Sequence, residues 1–189
     1  MKFKFIRLLP LLAVMCAGCV ICKTPVGDKV AQLKPEIWNA KWQGGGIGIV
    51  TTKIKDPKLG LVELTGRQPF PKLDHITITL LLRNLGPLLI VNQFTGDQPA
   101  GYKFGRVSID GDHFVIFDEN DAAVQKLVQH HELAGKFAKD EYGKLTGTCI
   151  LDHFSDRDYL RLKAEGFDVR SLFHDDPDFV LVRYKWRLF

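Results

Sequence analysis

The sequence predicts a mainly β protein with two short helices, an antiparallel meander curled into a barrel or half-barrel; a β-sandwich is the alternative. Short runs of alternating apolar and polar residues recur along the chain, tight-turn signals such as Asp110-Gly111-Asp112 separate them, and only two stretches repeat at helical spacing. Nine short strands with brief connections form a twisted sheet that tends to curl or close rather than stay open.

In chain order, Ile47 to Ile54 and Leu59 to Thr65 form the first expected hairpin, around Asp56-Pro57-Lys58. His75 to Arg83 alternates, with Ile76, Ile78, Leu80 and Leu82 on one face and His75, Thr77, Thr79 and Arg83 on the other. Asn84-Leu85-Gly86-Pro87 then turns the chain into Leu88 to Phe94. Tyr102 to Ile109 and His113 to Phe117 flank Asp110-Gly111-Asp112 as a tight hairpin. Val124, Leu127, Val128 and His131 share one helical face behind the acidic cap Asp118-Glu119-Asn120-Asp121, and His131 is expected to pack at the helix end.

Leu133 to Lys139 and Lys144 to Asp152 pair through Asp140-Glu141-Tyr142-Gly143. The second helix follows Ser155-Asp156-Arg157-Asp158, which resembles a capping box, and Gly166 stops it. In the last strand Val180, Val182, Tyr184, Trp186 and Leu188 are expected on one side and a basic stripe of Arg183, Lys185 and Arg187 on the other. That stripe reads as an outward face guarding an edge, or as a contact for anionic lipid or a partner. Phe94, Phe104, Phe117, Tyr184 and Trp186 are expected to point inward, where they can fill the curled sheet.

The segment ahead of these strands has a different character. Lys2, Lys4 and Arg7 precede an apolar run from Leu8 to Gly18, the layout of a secretory signal peptide. Between Arg7 and Lys23 only Leu8 to Cys22 are free of charge, with Pro10 inside, fewer than the roughly 20 residues a spanning helix needs. Ala17-Gly18-Cys19 resembles the end of a bacterial lipoprotein lipobox, although Cys16 stands where that family most often has Leu. The resemblance implies cleavage after Gly18 and fatty chains such as palmitate on Cys19. Val20 in place of an Asp implies, by the same resemblance, the periplasmic face of the outer membrane.

The expected organisation is therefore a signal peptide at 1–18, a lipidated N-terminus and flexible tether at 19–35, and a single β-rich domain at 36–189. As a whole this resembles small β-rich envelope lipoproteins. Trp38 to Gly44, read as the entry to the first strand, resembles the Gly-x-Trp entry of lipocalin-like barrels, but no Gly stands two residues before either Trp. Cys22 and Cys149 are expected as two unpaired thiols, with a disulfide as the alternative by count.

Charge and motifs narrow the function. The 26 Lys and Arg exceed the 22 Asp and Glu by +4, but Lys2, Lys4 and Arg7 lie in the leader, so nucleic-acid binding has no compositional support. Gly44-Gly45-Gly46-Ile47-Gly48 lacks the Lys-Ser/Thr of a phosphate loop, and no Gly-x-Ser-x-Gly occurs. His130-His131-Glu132 lacks the i, i+4 spacing that brings two imidazoles to one metal. Asp152-His153 with Asp156 and Asp158, and His174-Asp175-Asp176 with Asp178, are acid-histidine loops with no fixed partner in sequence. Asp110-Gly111-Asp112 lacks the acids of a calcium loop.

No catalytic, cofactor or metal residue is assigned. The expectation is a non-catalytic binding or structural envelope protein tethered to a membrane through Cys19, with an envelope protein or an apolar ligand as its further partner. A carrier or sensor of apolar ligands and an envelope hydrolase are the rival readings.

Overall fold

The computed structural model describes residues 20–44, 48–67, 75–96 and 100–184. Its strands are β1 (Val20–Cys22), β2 (Lys29–Val30), β3 (Ala40–Gly44), β4 (Ile49–Asp56), β5 (Leu61–Arg67), β6 (His75–Leu85), β7 (Leu88–Thr95), β8 (Gly101–Asp110), β9 (His113–Asp118), β10 (Gly135–Lys139), β11 (Leu145–Leu151) and β12 (Phe179–Arg183). Helices α1 (Pro35–Trp38), α2 (Asp121–Gln129) and α3 (Asp156–Ala164) and a 3₁₀ turn at Val169–Leu172 complete it.

Strands β3 to β9 and β12 form a closed antiparallel barrel of eight strands, in which β12 bridges β3 and β9 while β8 pairs with both β7 and β9. Eight strands enclose a space that side chains can just fill. Here Trp42, Val50, Leu64, Leu80, Phe114 and Leu181 fill it, and Trp38 of α1 packs with them. Phe114 is the hub, its ring centroid 5.6 Å from that of Trp38 and 5.7 Å from that of Trp42. The indole N–H of Trp42 donates to Thr52 Oγ1 at 3.0 Å, so the buried polar edge is satisfied. Outside, Lys41, Lys53 and Lys55 are exposed. A membrane-spanning barrel has the opposite arrangement, with an apolar exterior and a polar lumen.

A second core lies outside the barrel wall. Strand β8 is divided: its half from Gly105 pairs with β9, while Tyr102 pairs with Cys22 of β1. β1 runs parallel to β11, which pairs with β10, and these strands carry the sheet away from the barrel. Phe104, Ile90, Cys22, Cys149 and Leu151 pack there against α2, α3 and the 3₁₀ turn. β7 is thus a shared wall, with Val91 in the barrel and Ile90 in the second core.

Local chemistry fixes both helices. Asn120 caps α2 by accepting from the N–H of Ala123, and Ser155 with Asp158 forms a reciprocal capping box on α3. α3 docks on the β6–β7 turn, where the N–H of Gly86 donates to Asp156 at 2.8 Å and a Cβ at Gly86 (φ +57°) would stand 2.5 Å from the Tyr159 ring.

Five expectations need correction. Residues 20 to 34, expected as a tether, belong to the fold: Val20 and Cys22 are fully buried in a strand paired on both sides, and Val26 is fully buried too. Asn92 holds Val26 by both its N–H and its carbonyl, and Asp28 accepts from the first N–H of α3. The pairing partners lie 80 residues and more along the chain, so no local pattern announces them.

The last strand has the opposite phase, with Phe179 and Leu181 buried inside and Val180 and Val182 each 37% exposed. The large residues expected inside are elsewhere as well. Phe94 is 59% exposed, and Phe104 and Phe117 belong to the second core. Finally, Gly44 to Gly48 links β3 to β4 rather than preceding the first strand, and His131 is exposed beyond the end of α2 at φ +59°. Trp186 and Leu188 lie outside the described residues.

Candidate functional site

Cys19, the lipidation position expected from sequence, lies outside the described residues; its neighbour Val20 does not. Val20 pairs with Cys149 in the parallel register that sets Ile21 opposite Ile150 and Cys22 opposite Leu151. One Cα–Cα step is about 3.8 Å, so whatever Cys19 carries begins within one residue of a buried strand. β1 is short and apolar because both faces and both edges of it are covered.

The β10–β11 hairpin beside β1 projects its turn, Asp140 to Lys144, beyond the core. Asp140 builds this turn by accepting from the N–H groups of Tyr142 and Lys144. At the tip Tyr142 is 86% exposed, and Leu145 is 58% exposed. One face of the hairpin, with Phe137, Cys149 and Leu151, packs on the second core. The hairpin also bears a groove of about 840 Å³ lined by Lys136, Phe137, Ala138 and Lys139 of β10 and Thr146, Thr148 and Ile150 of β11. No carboxylate lines it. Asp152, just past β11, feels Lys136 but is paired directly with Lys23 at 2.5 Å, which holds its carboxyl below the usual range.

A second constellation sits at the end of β9. Its backbone geometry comes from the loop after the 3₁₀ turn, which lies along β9: Asn120 N–H donates to the Leu172 carbonyl, His174 N–H to the Asp118 carbonyl, and Asp118 N–H to Asp178 Oδ2 at 2.9 Å. Asp118 and Glu119 are thereby covered. Burial, with Asp178 adding to it and His174 and Lys103 opposing, raises the Asp118 carboxyl to about 6. Burial raises Glu119 further, to about 8, with Asp118 and Asp121 pushing the same way and Lys103 opposing. Glu119 is only 5% exposed, and its Oε1 has no hydrogen-bond partner among the described residues. This arrangement keeps a buried carboxylic acid neutral near neutral pH.

In sequence, residues 118–121 are a helix cap and His174 to Asp178 an acid-histidine loop with no fixed partner; the structure joins them. The signal missed in the sequence was Glu119 itself, which falls between Phe117 and the apolar stripe of α2.

The other candidates resolve locally. His153 lies 3.6 Å from Asp158, which is occupied by the capping box, and Asp152 pairs with Lys23. His130 caps the end of α2 and His131 turns away from it, so the pair does not converge. Among the described residues no group of three His, Cys, Asp or Glu side chains is arranged to hold a metal. Gly111 turns the β8–β9 hairpin at φ +54°. Arg183 has the parity of Phe179 and Leu181, stands 5.8 Å from the Trp42 ring and donates to the Glu36 carbonyl. It therefore closes an end of the barrel instead of starting an outward stripe, and Lys185 and Arg187 lie outside the described residues. Cys22 and Cys149 are both buried and free.

No family model matches the chain, and no curated protein or solved structure is significantly similar to it.

Proposed function

We infer that the chain is a lipid-anchored protein of the bacterial envelope, held by fatty chains on Cys19 and acting as a non-catalytic scaffold for another envelope component. The reading rests on one observation: the basic-apolar leader ends in Ala17-Gly18-Cys19, and the first described strand starts at the next residue. Several chains on one residue give firm attachment, because each buried methylene contributes about 0.8 kcal/mol. With no spacer between lipid and fold, the anchor fixes the domain's orientation as well as its location. By the Val20 signal the location is the periplasmic face of the outer membrane.

The packed interior favours scaffold over carrier. A carrier needs an apolar cavity of at least about 300 Å³, and Trp38, Trp42 and Phe114 stack where such a ligand would lie. The intact mass of the processed protein is the test. A thioether-linked diacylglycerol on Cys19, with loss of detergent-phase partitioning in Cys19→Ala, is the expected result. A bare thiol at the processed N-terminus overturns the reading.

A further inference from the structure

We propose that the groove on the β10–β11 hairpin binds the headgroup of an anionic phospholipid in the membrane on which the protein sits. Its position follows from the anchor reading, since Val20, the residue after Cys19, pairs with Cys149 of the strand that lines the groove. Its chemistry does not depend on that reading. Lys136 and Lys139 supply cations and Thr148 a hydroxyl, while the Thr146 hydroxyl donates to the Ala138 carbonyl; no acid lines the groove, and Asp152 near Lys136 is paired with Lys23.

A phosphodiester with a hydroxylated or bare anionic headgroup matches this set, whereas a zwitterionic headgroup brings its own ammonium to the two lysines. The exposed tip fits the same surface. Tyr142 and Leu145 are the kind of side chains that settle at a headgroup boundary; the charge of Lys144 beside them is offset by Asp140 and Glu141, so the tip contributes apolar contact alone. Lysines also guard an edge strand such as β10, and the vesicle comparison below separates that role from headgroup binding.

The leaderless chain carrying Cys19→Ser keeps every described strand and both cores but lacks the lipid. Flotation of this chain with vesicles of equimolar phosphatidylcholine and phosphatidylglycerol, against vesicles of phosphatidylcholine alone, reads the headgroup preference directly. Amide shifts recorded with short-chain phosphatidylglycerol locate it.

The expected result is flotation with the anionic vesicles only and shifts confined to residues 136–150. With each lysine near an anionic surface contributing about five-fold, the combined Lys136→Gln and Lys139→Gln variant loses about thirty-fold in partitioning. Equal partitioning to both vesicles, no partitioning, or an unchanged double variant overturns the proposal. So does inorganic phosphate that shifts the same amides and releases the vesicles, which would make this a site for free phosphate. An unmodified Cys19 in the intact mass overturns the anchor reading and leaves the vesicle result to stand or fall by itself.

Discussion

Replacing Glu119 with Gln should remove most of the dependence of stability on pH near neutrality. Glu119 is buried among Asp118, Asp121 and Lys103, with Asp178 and His174 against Asp118, and its carboxyl titrates at about 8 against 4.5 for an unburied glutamate. The folded state therefore holds a proton that the unfolded chain has released. For a raised carboxyl the stabilisation is full below the unfolded value and is lost as pH rises through the folded one.

The window runs from about 4.5 to about 8, with a slope of about 1.4 kcal/mol per pH unit for one proton. Asp118, raised from 3.8 to about 6, adds a second proton over the lower part of that range. Among the described residues Glu119 dominates between pH 6 and 8, where the loss is slightly more than about 2 kcal/mol, a large share of a typical 5–15 kcal/mol. With an m value of about 2 kcal/mol/M, the urea midpoint of the parent should fall by more than about 1 M between pH 6 and 8.

Glu119→Gln is neutral throughout, so its midpoint should stay level over that interval and exceed the parent's at pH 8. Equilibrium urea unfolding followed by tryptophan fluorescence reads both curves. A parent midpoint that is flat or rises with pH, or a variant that falls as steeply as the parent, refutes the burial argument.

Other consequences are simpler to measure. Phe114→Ala leaves a cavity between Trp38 and Trp42 and should cost about 3–5 kcal/mol in urea unfolding; a cost below about 1 kcal/mol would mean the rings do not form the barrel core. Gly86→Ala forces a Cβ against the Tyr159 ring at φ +57° and should cost more than about 1 kcal/mol, only partly relieved by adding Tyr159→Leu, because the backbone strain remains. Ser155→Ala removes one half of the capping box and should cost about 1 kcal/mol by the same assay. Burial raises the thiols of Cys22 and Cys149, the latter to about 11, so neither should react with a thiol reagent until urea unfolds the chain. Rapid labelling of the folded protein would contradict that.

The local grammar of this sequence was largely readable. Asp110-Gly111-Asp112 and Asn84 to Pro87 turn where expected, Ile78, Leu80 and Leu82 share the buried face of β6, and both caps predicted for the helices form. These features depend on turn stereochemistry, side-chain alternation and capping hydrogen bonds within a few residues. β7 was harder: with a core on each side, Leu88 to Val91 are apolar throughout and the alternation disappears. In β12 the run Phe179 to Val182 is likewise apolar at every position, and the basic residues after it suggested the wrong phase.

The sequence alone therefore determined the β class, most of the hairpins and the ends of α2 and α3, and its first residues motivate the proposal of an anchor on Cys19. The tertiary structure alone decided that β1 is threaded between β8 and β11, that Phe114 rather than Phe104 fills the barrel, and that Phe173 and the loop after it lie along Asp118 and Glu119. The division follows from the range of the forces. Turns and caps are satisfied by near neighbours, whereas burial and the titration of a buried acid depend on partners brought in from distant parts of the chain.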